Sequence, residues 1–307
     1  MLLEADPHAV LEGLALCAFA TGAREGIVYV RSEYPRAAER VEAAIAEAER
    51  AGFLGPSIRG SDFELHVRVH RGEGSYVCGE ETALLNSLEG RRGEVRLRPP
   101  YPTSRGLFGR PTVVNNVETL ANAAWIVRRG AAAYRALGTA ASRGTKVLSL
   151  DAGFAFPGLV EVEFGSSLRT VVEEAAGRVR LAAVALGGPM GSIALPDEWD
   201  VPICWEAMRA RGLALGHGGL VALPEGSDFA ALARSWLEFM ASESCGKCVP
   251  CRVGSREAVE LARAGAHAPL LELLDTISAA SLCPFGQDLP RPVRTILTRL
   301  VARGPRA

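Results

Sequence analysis

Apolar residues along the first 130 positions recur with helical and strand periods in turn. Val10, Leu11, Leu14 and Ala18 lie three and four apart, which predicts a helix from Pro7 to Thr21 ended by Gly22. Gly26-Ile-Val-Tyr-Val30 is a continuous apolar run and predicts a buried strand. Val41, Ile45 and Ala48 mark the inward face of a second helix, Pro35 to Arg50, terminated at Gly52. Phe63, Leu65, Val67 and Val69 then alternate with Glu64, His66, Arg68 and His70, the pattern of a strand with one polar face near a sheet edge. Strand, helix and strand at this spacing imply a right-handed crossover and a parallel pair. A turn punctuated by Gly72, Gly74 and Gly79 follows and leads into a helix from about Glu80.

The carboxyl end of a parallel strand, followed by the free amides of a helix start, is where α/β folds bind nucleotides and phosphates. Glu80 and Glu81 at that place are either ligand-facing carboxylates or ordinary first-turn acids that complement the helix dipole. Asn115 and Asn116 follow a short apolar strand and precede a helix with Val117, Leu120, Ala124 and Trp125 on one face, a position where Asn is most often a cap. Between these sites Glu89 to Pro111 carries six arginines and four prolines and predicts a long extended loop, either an anion-facing lid or a solvated strap toward a partner.

From Gly144 the pattern changes. Lys146 to Leu150 and Leu159 to Phe164 predict two strands, Leu168, Val171, Val172 and Ala175 a short helix capped by Ser166 or Ser167, and Leu181 to Leu186 a return strand, the order of a small ubiquitin-like β-grasp unit. Gly187-Gly-Pro-Met-Gly191 lacks a following Lys-Ser or Lys-Thr and is a turn rather than a phosphate loop. Apolar stripes at Phe229 to Met240, Leu270 to Ile277 and Val293 to Val301, with a helix near Arg256 to Ala264, predict a four-helix bundle. Three domains follow: an α/β domain over 1–143, the β-grasp domain with its connector over 144–226, and a helical domain over 227–307.

The sharpest chemical signal is Glu243-Ser-Cys-Gly-Lys-Cys-Val-Pro-Cys-Arg252, with Cys245, Cys248 and Cys251 three apart and Cys283-Pro284 well downstream. Three thiolates at a helix entrance converge on one face of a cubane, and a fourth returned by later helices closes the opposite corner of a 4Fe-4S cluster. Structural zinc is the rival, although it usually takes two separated Cys-x2-Cys pairs; buried inert cysteines are the plain alternative. Seven cysteines, an odd number, with no basic stretch and apolar run at the start, argue against a disulfide framework and for a reducing, cytoplasmic setting. The net charge of -1, with Lys146 and Lys247 the only lysines, leaves no basic field for nucleic acid. The uncharged run Leu181 to Pro196 is too short and too glycine-rich to cross a bilayer, so membrane association would come only through partners.

Taken together, Gly74-Ser-Tyr-Val-Cys-Gly-Glu-Glu-Thr-Ala-Leu84, Leu97-Arg-Pro-Pro-Tyr-Pro102, Val113-Val-Asn-Asn-Val-Glu-Thr-Leu120 and the cysteine segment closely resemble the NADH-binding flavoprotein family. That family includes the 51 kDa subunit of respiratory complex I and the diaphorase subunits of NAD-dependent formate dehydrogenases and hydrogenases. The resemblance implies that Gly74, Tyr76, Gly79, Glu80 and Glu81 line a flavin mononucleotide (FMN) and NADH site, with Glu80 and Glu81 closest to the chemistry. It implies that Asn115 and Asn116 approach the flavin phosphate and ribityl chain, and that Cys245, Cys248, Cys251 and Cys283 hold the cluster.

Hydride passes from NADH to the flavin in that family, and single electrons pass to the cluster. The implied partners are a small ferredoxin-like subunit of the 24 kDa type and further iron–sulfur or catalytic subunits. Members also carry a Gly-Arg-Gly-Gly-Ala-Gly-Phe loop and an acidic Pro-Gly segment ahead of the residues matching Leu2 to Glu12, and neither is in this sequence. The resemblance therefore implies an incomplete Rossmann-like sheet, and a chain that as given holds its cluster but retains little flavin. Two other readings stand beside an NADH-oxidising subunit: an iron–sulfur relay or assembly subunit without flavin chemistry, and a zinc-stabilised interaction module.

Overall fold

The computed structural model describes residues 1–177 and 179–302 and divides the chain into two compact units, Met1–Ala133 and Tyr134–Ala307. In the first, a helical turn α1 (Leu2–Ala5) precedes α2 (Pro7–Thr21). The Asp6 carboxylate caps α2 by accepting the Ala9 N–H at 3.0 Å, and Gly22 ends it in the left-handed region at φ 72°. Strand β1 (Glu25–Val30), helix α3 (Pro35–Arg50) and strand β2 (His66–Arg71) form the crossover, and β1 and β2 pair in parallel with Val28 opposite Val69. Val28, Val30 and Val67 bury against Ala38, Val41 and Ile45 of α3.

The strand expected from Phe63 begins instead at His66. Leu65 is diverted into an antiparallel bridge with Gly55, and Phe63 meets the Phe19 ring edge-on at 5.3 Å. Beyond β2, a tight turn at Tyr76–Gly79 leads to α4 (Glu81–Leu88), then α5 (Pro102–Arg105) and α6 (Val117–Arg129). No strand forms ahead of Asn115, because Thr112 N–H is bound to Pro102 O (2.9 Å) and Arg110 O to Gly106 N–H (2.8 Å) in a local turn. Helix α6 lies against α2 so closely that a Cβ on Gly13 would stand 2.0 Å from Leu120 O. A short helix α7 (Ala131–Arg135) follows.

The second unit opens on a mixed five-stranded sheet in the order β4-β3-β7-β5-β6. Its strands are β3 (Thr145–Leu150), β4 (Gly158–Glu163), β5 (Leu181–Leu186), β6 (Ser192–Ala194) and β7 (Gly219–Pro224). β4 runs antiparallel to β3, and β7 inserts parallel to β3 at the centre. Helix α8 (Leu168–Ala176) supplies Leu168 and Val172 to a core with Leu148, Leu186 and Leu220, completed by Met208 of α9 (Trp205–Ala210).

Three long helices follow, α10 (Phe229–Glu243), α11 (Val249–Arg263) and α12 (His267–Ala280). The fourth helix predicted for a bundle is broken into α13 (Pro284–Asp288), α14 (Pro290–Thr295) and a π-helical run Ile296–Val301. Pro284, Pro290 and Pro292 account for the breaks, since each lacks an N–H for the ladder.

Candidate functional site

Cys248 is the N-cap residue of α11, Cys251 lies in its first turn, and Cys245 lies in the loop before it, turned by Gly246 at φ 83°. Cys283 is the N-cap residue of α13. Cys251 and Cys283 are buried, whereas Cys245 and Cys248 are partly exposed. Burial pushes the Cys251 thiol up to about 11; Ser244 Oγ, 3.3 Å from the sulfur, opposes this, and the sulfurs of Cys248, Cys283 and Cys245 add to it. Burial also raises the Cys283 thiol, against the N–H groups of Gly286 and Phe285 and with the sulfurs of Cys245 and Cys248.

Each buried thiol thus senses the other cysteines of the set. The approach of α13 depends on Gly286, where a Cβ would stand 2.3 Å from Ser281 Oγ and 3.3 Å from Cys251 Cβ. Among the described residues no three His, Cys, Asp or Glu side chains gather as one metal ion would require. A zinc ion needs every sulfur about 2.3 Å from a single centre, whereas a cubane spreads its four thiolates over separate corners. Four thiols with backbone N–H groups aimed at one sulfur form a donor set that fits a 4Fe-4S cluster.

In the first unit the carboxyl end of β2 is followed by residues 74 to 81. Gly74 adopts φ 85°, and a Cβ there would meet Ser32 Oγ at 3.3 Å. The Arg31 guanidinium lies 5.5 Å from the Tyr76 ring centre and 5.7 Å from that of Tyr34, fixing Tyr76 by cation–π contact. Gly79 has open space where a side chain would stand. Glu80 caps α4: its Oε2 accepts Thr82 N–H and Ala83 N–H at 2.9 Å each and the Thr82 hydroxyl at 2.5 Å. Glu81 accepts Arg98 Nη1–H at 2.6 Å, and Arg98 Nη2 stands 3.7 Å from Glu80 Oε1.

Arg98, which periodicity did not single out, thus pairs with the candidate carboxylates. It belongs to the segment predicted as an extended loop, which in the structure is drawn back onto α4. Arg96 donates to Asn86 Oδ1 at 2.8 Å and pairs at 2.8 Å with Glu89, whose side chain is buried and also accepts the Phe108 N–H. Asn115 and Asn116 stand apart from that segment in the chain, at the start of α6. The Asn116 side chain accepts Glu118 N–H at 2.8 Å as a cap, and Asn115 Nδ2 donates to Cys17 Sγ of α2 at 3.4 Å.

The first unit thus holds a parallel crossover followed by a capped helix, and the second holds four cysteines at or just before the starts of α11 and α13. Residues 1–125 match the Nuo51 FMN-binding domain, and residues 231–301 match the iron–sulfur binding region of NADH-ubiquinone oxidoreductase-F. The chain belongs to the family of the NADH-quinone oxidoreductase F subunits and related hydrogenase subunits.

It is 40% identical over 304 residues to the NADP-reducing hydrogenase subunit HndC of Solidesulfovibrio fructosivorans, covering 95% of this chain and 62% of that one. It is 45% identical to an F-type NADH-quinone oxidoreductase subunit of Rhizobium meliloti, over 86% of this chain and 63% of that one. Among solved structures it aligns with a chain of a NAD+-reducing nickel–iron hydrogenase in the H2-reduced state, with TM-score 0.86, 36% identity and coverage of 96% of this chain and 51% of that one. The chain therefore spans a little over three fifths of these curated relatives and about half of the solved one. No helix among the described residues is long and apolar enough to cross a membrane.

Proposed function

We propose that this chain is the NADH-oxidising, or NAD-reducing, component of a multisubunit oxidoreductase. The observation that supports the reading is the match of residues 231–301 to an iron–sulfur binding region, which contains Cys245, Cys248 and Cys251 at the entrance of α11 and Cys283 at the start of α13. When bound, FMN supplies the exchange between hydride and single electrons, and a 4Fe-4S cluster carries those electrons. The four cysteines hold the cluster, and the N–H groups of Gly286 and Phe285 stabilise charge on the Cys283 sulfur.

Gly79 leaves room for a ligand to approach the backbone, Gly74 makes the left-handed turn before it, and Tyr76, held by Arg31, gives the ligand an aromatic wall. Glu81 offers a carboxylate to ribose hydroxyls or a carboxamide once Arg98 yields or bridges. Glu80 keeps the helix start in place as its cap, and Asn115 and Asn116 present amides toward the flavin's phosphate and ribityl chain. The middle of the chain is a β-grasp domain, supported by the sheet order 2-1-5-3-4 when its strands are counted from β3. A small ferredoxin-like subunit and further iron–sulfur or catalytic subunits receive or deliver the electrons, in a cytoplasmic assembly.

Anaerobic purification of the assembled complex, followed by iron, sulfide and flavin analysis, tests this reading. About four iron and four sulfide per cluster site are expected. Cys283→Ser should remove or remodel the cluster, while Cys17→Ser and Cys204→Ser leave it. Glu81→Gln should weaken NADH binding by roughly tenfold, the loss of a charge-assisted hydrogen bond of about 1.5 kcal/mol, with the iron content unchanged. Zinc at one equivalent without iron would end the redox reading.

A further inference from the structure

β4 is an edge strand of the five-stranded sheet, and no strand among the described residues pairs with its free side. Phe164 N–H bonds to Gly144 O and Ser149 N–H bonds to Gly218 O, which sets the alternation along the β3–β4 ladder. Residues 158, 160 and 162 bond inward to β3, so the N–H and C=O groups of Leu159 and Glu161 point away from the sheet, with no backbone partner among the described residues. Beyond Glu163 the edge closes, since Ser166 N–H takes Glu163 O and Gly165 N–H takes Ile203 O.

Alongside this open stretch runs a groove of about 570 Å³ between β4 and α8. Leu150, Val160 and Val162 form its apolar floor, and Thr170 and Glu174 of α8 stand on its wall. One end is shaped by the loop whose Phe156 N–H bonds to Ala175 O, and the Phe156 and Leu159 side chains are 66% and 57% exposed.

We infer that this edge and groove receive an extended segment of a partner polypeptide as a sixth strand. The partner would place apolar side chains over Val160 and Val162 and basic side chains opposite Glu161 and Glu163. Open main-chain groups beside an apolar groove are the two elements of β-strand addition: the ladder gives affinity, and alternate side chains give specificity. Charge decides the occupant. The strand Gly-Leu-Val-Glu-Val-Glu has no lysine or proline to blunt it, but its exposed glutamates would face one another if a second copy paired there, and like charges across a ladder repel. A basic, alternately apolar segment satisfies all of these groups.

The test uses the full chain and a fluorescein-labelled capped peptide, Val-Arg-Val-Arg-Val-Arg-Val, with Val-Glu-Val-Glu-Val-Glu-Val as the control. The basic peptide should bind saturably, at least tenfold tighter than the acidic one, and should slow amide hydrogen exchange at Leu159 and Glu161. Leu159→Pro removes an outward N–H without touching the β3 ladder and should weaken binding at least tenfold. Glu161→Lys, which leaves the backbone donors intact and sets one lysine against Glu163, should abolish the preference between the peptides. The inference is overturned if both variants bind like the parent, if exchange slows elsewhere instead, or if the edge mediates self-association that Leu159→Pro abolishes while no peptide binds.

Discussion

Replacing Gly286 by Ala probes the thiol site through a single methyl group. The added Cβ would lie 2.3 Å from Ser281 Oγ and 2.5 Å from Ser281 Cβ, well inside contact distance, and 3.3 Å from Cys251 Cβ. Ser281 is buried, so its side chain cannot swing into solvent, and either it or α13 must move. Overpacking of this kind costs about 1–3 kcal/mol, and a shift of α13 carries Cys283 away from Cys251. At 1.4 kcal/mol per factor of ten, cluster retention should fall by roughly ten- to a hundredfold under limiting iron. Iron per chain and the visible absorbance of anaerobically purified protein report retention, and the thermal midpoint of the same samples reports packing. Ser281→Gly removes both clashing atoms, so the double variant should recover most of the iron. Full iron content in Gly286→Ala with an unchanged midpoint would refute the packing account, and loss of iron that Ser281→Gly does not relieve would refute the stated cause.

Two further outcomes are expected. Burial alone would raise the Glu89 carboxyl, but hydrogen bonds from Arg96 and the Phe108 N–H, with the charges of Arg96 and Arg91, hold it below the usual carboxylate range. A depressed folded value stabilises above the unfolded pKa of about 4.3 and is lost as pH falls through the folded value. Glu89→Gln removes the charge that these hydrogen bonds serve, a contribution of about 1.5–3 kcal/mol at pH 7, and the gap in thermal midpoint should narrow toward pH 3; a gap constant with pH would contradict this. In cluster-free protein at pH 8, a Cys251 thiol near 11 is thiolate in only about one molecule in a thousand. Iodoacetamide should label the partly exposed Cys245 and Cys248 long before Cys251, whose rate should climb about tenfold from pH 8 to 9. Equal labelling rates, followed by peptide mass spectrometry, would place Cys251 outside a buried site.

Helices announced by strong punctuation were legible from the chain. Pro7 and Pro35 begin helices whose observed bounds, Pro7–Thr21 and Pro35–Arg50, match the periodicity, because proline at a helix start and a glycine just past its end act locally. The cysteine spacing was legible for a similar reason, since three of the thiols share one helix entrance. β7 was not: it follows Leu215-Gly-His-Gly218, and only pairing with β3 and β5 makes a strand of it. The role of Arg98 was equally hidden. It meets Glu81 from 17 positions away, beyond α4 and the irregular chain that follows, a contact set by how that segment lies on α4 rather than by any period. Glu80 had two open readings, and the structure gives it the capping geometry that backbone N–H groups at a helix start require.

The crossing of α2 and α6 at Gly13 works as a fulcrum. Main chain meets main chain there, so no rotamer can absorb an added atom, and the two helices form a hard stop rather than a cushioned contact. Asn116 stands one helical turn from Leu120, a lever arm of about 6 Å at a 1.5 Å rise per residue. Any inherited or engineered side chain at position 13 therefore acts at a distance: it pries the start of α6 away from α2 and carries Asn115 off Cys17. Selection for a ligand at those asparagines would register as intolerance at a glycine of the neighbouring helix.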